Sequence, residues 1–456
     1  MMDLERLVAA LGADEVVGAA PVEVRDLSYD TRAVAPGSLF FCVRGAQADG
    51  HDFAPEAVAN GAGALVVERP LAVDVPQVVV ADSRAAMAVV ADEFFGRPTE
   101  ELQVAGVTGT SGKTTTCFLL FAILAAAGRR PGLLGTVEAR VGGERRGVIR
   151  TTPEAIDLQR TFREMLDAGD RSCAMEASSH ASELRRLDRV RFAVLVFTNL
   201  SQDHLDFHGD MESYFQAKRR LFTGPAVVNV GDEYGRRLAS ELPDAITFSA
   251  ADAGALDGID LKLRGRFNVE NALGALVAAR VLGVDDDAIK RGLESVRGVP
   301  GRFESVDEGQ PFEVIVDYAH KPGALENVLR TARDLARGRV IAVIGAGGDR
   351  DRGKRPVMGR ISSELADVTI VTSDNPRSED PQAIIDEIVA GTAGEVEVEP
   401  DRAAAIARAI ELANEGDVVL IAGKGAEQGQ QFADRTIPFD DREAARDALR
   451  ALGART

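Results

Sequence analysis

Tryptophan is absent from the 456-residue chain, and aromatic residues make up only 5% of it. Its cores must therefore be built mainly from Ala, Val, Leu and Ile. Only three cysteines occur, Cys42, Cys117 and Cys173, widely spaced and in neither a metal-ligand nor a redox pattern. That excludes a disulfide scaffold and reads as structural thiols in a reducing compartment. Positive charge is scarce: 53 Lys and Arg against 72 Asp and Glu leave a formal net charge of −19. Broad binding to nucleic acid or to an anionic membrane is excluded on that ground. No apolar run approaches the roughly 20 residues a bilayer span needs. The opening "MMDLERLVAALGADEVV" reads as an amphipathic helix and not as a secretory leader. The expectation is a cytoplasmic protein without nucleic-acid or membrane partners.

What the chain does have is length and local basic clusters. Its length exceeds what one hydrophobic core usually serves, so several domains are expected. Three blocks separate. The first, residues 1–98, closes at "FFGRPTEE", where Pro98 disfavours continuing a helix. The second, residues 99–297, alternates near-continuous apolar strands ("LQVAGVTG", "SCAMEAS", "FAVLVFTNL", "AVVNVGD") with helical stretches, the pattern of a parallel sheet covered on both faces. The third, residues 298–456, begins at a Gly/Pro cluster and repeats that alternation. It reads as a Rossmann-like α/β domain with ligand loops at the strand C-termini. Its loop "GGDRDRGKR" supplies the local cations that a polyanionic ligand would need.

"GVTGTSGKTTT", Gly106 to Thr116, sits between a strand and a helix. The generic phosphate-loop pattern G-x-x-x-x-G-K-S/T is not met, because Val107 stands five before Gly112; the match is to a shorter form from Gly109 to Thr114. Glycines let backbone N–H groups close on phosphate oxygens, Lys113 can reach the outer phosphates, and the Thr114 hydroxyl suits Mg²⁺. A helix N-terminus behind the loop favours anions. ATP with Mg²⁺ is the expected ligand, with Thr110, Ser111 and Thr115 completing the cradle.

Polar residues then gather at the ends of the next two strands. "CAMEASSH" carries Glu176, Ser178, Ser179 and His180, and "FTNLSQDHLDFHG" carries Asn199, Asp203, His204, Asp206 and His208. A carboxylate and an imidazole beside a phosphate loop suit Mg²⁺ ligation or the ordering of water.

The ordered motifs "GVTGTSGKTTT", "TTPEAIDLQ", "MEASSHAS", "FTNLSQDHLDFHGDMESYFQAKRRLF", "GRFNVENALGA", "GRFE", "VDYAHKP", "GAGGDRDRGKRP", "SDNPRSEDP" and "IAGKGAEQGQ" resemble the Mur ligase family, and within it the diaminopimelate-adding members. The resemblance covers nearly the whole chain. It implies three domains: an N-terminal α/β UDP-binding domain, a central P-loop parallel-sheet ATPase domain and the Rossmann-like C-terminal domain. It also implies ATP-driven amide formation through an acyl phosphate in peptidoglycan precursor synthesis.

By this resemblance Lys113, Glu176, His204 and Lys218 are catalytic. Thr114, Glu176, His204 and Lys218, the last as a carbamate formed from CO2, serve the metal. An ammonium at Lys218 would repel Mg²⁺, whereas a carbamate offers an anionic oxygen. Asn271, Arg302 and Asp317 join Gly109 to Thr115 in binding ATP. Tyr29, Thr31, Ala46, Gln47 and Ala48 lie in a segment resembling the uridine site. Thr151, Thr152, Ser178 and Arg186 resemble the residues that hold the rest of UDP-MurNAc-L-Ala-D-Glu, and Leu184 stands where some members carry Gln. Asp374, Asn375, Pro376 and Arg377 ("DNPR") mark meso-diaminopimelate, with Arg350, Gly423 and Glu427 beside them. A guanidinium presents a planar fork to the distal carboxylate that diaminopimelate has and lysine lacks. A monomer is expected.

Two departures stand out. Ala426 occupies the position of a His usual in "GKGHE", and only "SAADAGALDGIDLKL" separates "AITF" from "RGRFNVENAL", where relatives carry more strand-forming sequence. On the residues alone three alternatives stay open: a paralogue using another amino acid or acid, a non-catalytic sensor of UDP-muropeptide or ATP, and a folylpolyglutamate-type ligase.

Overall fold

The structure, a computed structural model, describes residues 1–12, 15–18, 21–45 and 48–453. Among these, three sheets organise the chain. The first holds β1 (Glu15–Val17), β2 (Asp26–Ser28), β3 (Ser38–Phe41), β4 (Ala62–Val67) and β5 (Gln77–Val79), in the order β1-β5-β4-β3-β2. All neighbours are parallel except β1 with β5. The opening amphipathic stretch differs from its expected form. Its helix runs only Leu4–Leu11, stopped by Gly12 in the left-handed region (φ 62°), and Glu15–Val17 form strand β1.

The central sheet has eight strands: β6 (Gln103–Thr108), β7 (Pro131–Leu134), β8 (Ala139–Val141), β9 (Glu144–Arg146), β10 (Ser172–Glu176), β11 (Phe192–Phe197), β12 (Ala226–Asn229) and β13 (Ile246–Phe248). Their order is β9-β8-β7-β10-β6-β11-β12-β13, parallel apart from the edge strands β8 and β9. The period-2 rule divides β10 between the two faces. Cys173 and Met175 pack with Phe162 and Phe215, while Ala174 joins Cys117, Leu120 and Ile123 of helix Lys113–Ala126. The helix after the phosphate loop is apolar almost all round because helices Arg266–Val281 and Asp286–Ser295 cover its far side. The short segment after "AITF" forms a 3-10 turn, Ala250–Leu256, closed by a Ser249/Asp252 capping box; Leu256, Ile259 and Leu261 pack onto the same core.

The third sheet contains β14 (Glu304–Ser305), β15 (Glu313–Asp317), β16 (Val340–Ile344), β17 (Val368–Val371), β18 (Glu397–Val398) and β19 (Val418–Ala422), in the order β14-β15-β19-β16-β17-β18. All but β14 run parallel. Parallel strands bring their C-terminal ends to one edge, so the loops after β15, β16, β17 and β19 converge there. All three cysteines are buried and free. Among the described residues no helix is long and apolar enough to cross a membrane.

Candidate functional site

A single large cleft, about 1630 Å³, separates the C-terminal edge of the central sheet from that of the third sheet. On the central side the phosphate loop leaves β6 at Gly109 (φ 145°) and enters its helix at Gly112 (φ 87°). A Cβ on Gly109 would stand 1.9 Å from Thr198 Oγ1, and one on Gly112 would stand 2.3 Å from Asn271 Oδ1. Only glycine fits the cradle at either point. Asn199 fixes its path, its carbonyl accepting from Thr110 N (2.9 Å) and its Oδ1 from Ser111 N (3.0 Å).

Lys113 Nζ folds back on the loop, donating to Gly109 O at 2.9 Å and Thr110 O at 3.0 Å. Burial and then the like charge of Lys321 push this amine down to about 8. Lys218, on helix Met211–Arg219, also donates to Gly109 O at 2.9 Å and is 1% exposed. Burial, then Lys113, holds its amine well below the ordinary lysine range.

Glu176 ends β10 with its carboxylate buried in the cleft wall. Oε1 accepts from Thr114 Oγ1 (3.0 Å) and Thr136 N (2.7 Å), and Oε2 from Thr136 Oγ1 (3.1 Å). Thr151 Oγ1 lies 3.1 Å from Thr136 Oγ1. Thr152 Oγ1 donates to Glu176 O at 2.8 Å, and Arg186 donates to Thr152 O at 3.1 Å while pairing with Glu154 at 2.7 Å. Ser178 caps the next helix by accepting from Ala181 N, and Leu184 reaches the same cleft wall. His204 adopts the left-handed region (φ 54°), its Nε2 2.8 Å from Asp203 Oδ2 and its ring 4.6 Å from that of His180. Burial, with His204 and His208 nearby, drives His180 down to about 4.

The third sheet reaches across. Arg302 Nη2 donates to Thr114 Oγ1 at 3.0 Å, and its guanidinium lies 4.3 Å from the Tyr318 ring. Asp317, at the end of β15, accepts from Phe303 N and Ala319 N, both at 2.7 Å. Burial pushes that carboxyl up to about 6 against the pull of Arg302 and those N–H groups. Asn271, buried on helix Arg266–Val281, accepts weakly from Thr116 Oγ1 and donates to Asn268 at 3.0 Å.

Loops after β16, β17 and β19 form the opposite wall. Arg377 (φ 53°) is held by its own N–H to Gln431 O (3.0 Å) and by Nη1 to Gly348 O (2.6 Å). Asn375 Nδ2 donates to Glu427 Oε2 at 2.8 Å. Gly423 (φ 125°) leaves room for Asp374, whose Oδ2 would lie 2.5 Å from any Cβ there. Pro376 O accepts from Glu379 N, closing the turn. Arg350, Arg377 and Glu427 line the cleft together with Lys113, Glu176 and Arg302.

Not every expected residue meets there. Gly109, Lys218, Asp374, Asn375, Pro376 and Gly423 stand behind the lining. Tyr29 donates its hydroxyl to Asp157 at 2.6 Å, Thr31 O accepts from Asn60, and Ala48 O closes a turn with Gly45. These three lie in the first block, away from the cleft lining. Ala46 and Gln47 fall outside the described residues. Several charged residues were not singled out from sequence. Lys424, fully buried, donates to Asn375 Oδ1 (2.8 Å) and Glu427 Oε2 (3.1 Å). Arg355, fully buried, braces Glu379 and Glu387. Lys321 pairs with Asp203. A lysine between glycines at a parallel-strand end was the readable signal for Lys424; Lys321 and Arg355 sat in basic motifs that gave no sign of burial.

Among the described residues no three His, Cys, Asp or Glu side chains are placed to hold a metal alone. The oxygen donors of Thr114 and Glu176 beside a phosphate cradle fit Mg²⁺, which keeps waters and substrate phosphates as most of its ligands.

Three family models match in sequence: "Mur ligase family, catalytic domain" over residues 23–107, "Mur ligase middle domain" over 107–257 and "Mur ligase, glutamate ligase domain" over 301–425. Similar proteins include the UDP-N-acetylmuramoyl-L-alanyl-D-glutamate–2,6-diaminopimelate ligase of Geobacillus kaustophilus, 47% identical with 94% of this chain and 95% of that one covered. The ligase of the same name from Streptomyces coelicolor is 46% identical, with 96% and 95% covered. A solved structure of a protein with that name matches at a TM-score of 0.65 and 32% identity over 96% of this chain and 97% of that one. Escherichia coli FolC in complex with ADP matches at a TM-score of 0.60 and 24% identity over 82% and 93%, a likeness of fold alone. With a phosphate cradle facing a guanidinium-lined wall, and with these matches along nearly its whole length, the chain belongs to the Mur ligase family.

Proposed function

We propose that the protein is an ATP- and Mg²⁺-dependent ligase joining meso-diaminopimelate to the D-glutamate carboxylate of UDP-MurNAc-L-Ala-D-Glu, in cytoplasmic peptidoglycan precursor synthesis. One observation carries this reading: a single cleft has Lys113 and Glu176 on the central side and Arg302, Arg350, Arg377 and Glu427 on the side of the third sheet. The names and full-length similarity of the relatives support the substrate pair.

A carboxylate and an ammonium do not condense in water at neutral pH, so the acid must first be activated. A carboxylate oxygen attacks the γ-phosphorus and ADP departs, leaving an acyl phosphate. The free amine then attacks the acyl carbon, loses a proton, and expels phosphate to leave the amide. Little of this asks for covalent help from the protein; positioning and charge neutralisation dominate. The loop N–H groups from Gly109 to Thr115 and the Lys113 ammonium hold the phosphates. Bound Mg²⁺ would be held by Thr114 and Glu176 with His204 nearby, and would neutralise charge on the transferred group. Asn271 and, from the C-terminal domain, Arg302 and Asp317 also hold ATP, so both domains must grip one nucleotide.

Lys218 is read as a carbamate. Burial, and then Lys113, lower the pKa of this amine and so favour the neutral form that adds to CO2; the product, after loss of one proton, is an anion beside Lys113. Thr151, Thr152, Ser178 and Arg186 are assigned to the muramyl-peptide, and Tyr29, Thr31 and the run from Ala46 to Ala48 to uridine. Arg377 and Arg350 receive the distal carboxylate of diaminopimelate, Glu427 an ammonium, with Asp374, Asn375 and Gly423 shaping the pocket. The test is product analysis: ATP, UDP-MurNAc-L-Ala-D-Glu and meso-diaminopimelate should yield one UDP-linked tripeptide per ADP and phosphate released. Phosphate release without that product would overturn the reading.

A further inference from the structure

Lys321 lines the cleft and has no task in the assignments above. Lys321 sits at the N-cap of helix Pro322–Leu335, on the third-sheet side, and its side chain is 14% exposed. It crosses to the central side and pairs with Asp203, itself 13% exposed. Asp203 also takes His204 Nε2 at 2.8 Å. The backbone that carries Lys321 is braced rather than loose. Lys354 Nζ donates to His320 O at 2.9 Å, His320 Nδ1 lies 2.7 Å from Tyr318 O, and Tyr318 lies beneath Arg302.

The charge balance around this point is uneven. Lys113 feels Lys321, and then Arg302, as like charges, with Glu176 and Asp203 as the nearby counter-charges. In a chain of net charge −19 this meeting of three cations, and the repulsion it carries, is built against the background. A polyanion would relieve it. Asp203 holds Lys321 beside the imidazole of His204, on the cleft that the phosphate loop and Lys113 also line.

We propose that Lys321 is a phosphate ligand supplied by the C-terminal domain: held toward the central domain by Asp203, it contacts the terminal phosphoryl oxygens of a bound nucleoside triphosphate and stays with that group during transfer. This rests on the ligase reading and adds to it a residue from the domain opposite the phosphate loop. Charge neutralisation at the transferred group is then complete only when the two domains meet, which ties the chemical step to closure.

The test compares affinities for ADP and for a non-hydrolysable ATP analogue by titration calorimetry, in the full chain with Mg²⁺, for wild type, Lys321→Met and Lys321→Arg. A wild type that binds neither nucleotide would sink the ligase reading itself. Given wild-type binding, Lys321→Met should weaken the triphosphate analogue about 10- to 100-fold and change ADP affinity less than about 3-fold. Retained ADP binding also shows that the variant is folded. Lys321→Arg should restore analogue affinity to within about 10-fold, because charge and reach are kept. In turnover, Lys321→Met should lower kcat about 10²- to 10³-fold. Equal losses for both nucleotides, or none for either, would overturn the proposal and leave Lys321 as a strut between domains.

Discussion

Lys113 and Lys218 donate to the same acceptor, the carbonyl oxygen of Gly109, each at 2.9 Å. One carbonyl cannot balance two buried ammonium ions, and burial holds the Lys218 amine well below the ordinary lysine range. Among the described residues no side-chain acid lies within hydrogen-bonding distance of Lys218, and its Nζ lies 4.8 Å from the centre of the Tyr214 ring. Lys218 should therefore take up CO2. With isotopically labelled bicarbonate, the wild-type protein is expected to give a carbamate signal by NMR that Lys218→Met lacks. Turnover in Lys218→Met should fall by at least about 10², and Lys218→Arg should not recover it, since a guanidinium adds the wrong sign of charge.

Lys113 carries a second consequence. Its amine is lowered to about 8 in the free protein, so its neutral fraction grows as pH rises through that value. Bound phosphates favour the charged form and raise the pKa again. Nucleotide binding should then take up about half a proton near pH 8, rising toward one near pH 9, and almost none near pH 6.5. Calorimetry in buffers of different ionisation enthalpy measures this directly. Proton release on binding in that window would contradict the sign.

Arg377 is pre-aimed, with Nη1 on Gly348 O and the backbone fixed at φ 53°. Arg377→Ala should lower kcat/KM for meso-diaminopimelate by about 10²-fold or more, the scale of roughly 3 kcal/mol for a charge-assisted pair. KM for ATP should stay within about 3-fold. Arg377→Lys should recover little, because a point charge does not reproduce the fork.

Lys424 acts through its neighbours. It is fully buried and ties Asn375 Oδ1 to Glu427 Oε2. Lys424→Met should release Glu427 and raise KM for the amino acid about 10- to 100-fold while the ATP KM holds. Steady-state kinetics with each substrate varied in turn provide the split.

The phosphate loop was legible because its chemistry is local: Gly109, Gly112, Lys113 and Thr114 lie within six consecutive positions, and a strand and helix flank them. Alternation of apolar strands with helices likewise announced the central and C-terminal sheets, whose parallel order follows from covered faces. Lys218 was different. By pattern it is a solvated lysine on a charged helix, and only the family resemblance singled it out; its burial comes from a contact with Gly109, 109 positions away. Lys321, Arg355 and Lys424 were passed over for the same reason, since each earns its role from partners on other strands' loops. The opening helix was read too long because Gly12 was weighed as one residue in an amphipathic run, whereas its left-handed backbone ends the helix and frees Glu15–Val17 to pair with Gln77–Val79.

Lysine, identical to diaminopimelate but for one terminal acid, is the sharpest probe of the whole account. Phosphate release would be followed for the wild-type protein with ATP, Mg²⁺ and UDP-MurNAc-L-Ala-D-Glu, adding either meso-diaminopimelate or L-lysine. A kcat/KM at least about 10³-fold higher with meso-diaminopimelate is the expected result, since lysine would leave the Arg377 guanidinium unpaired. Equal rates with the two amines would mean that Arg377 does not select the substrate.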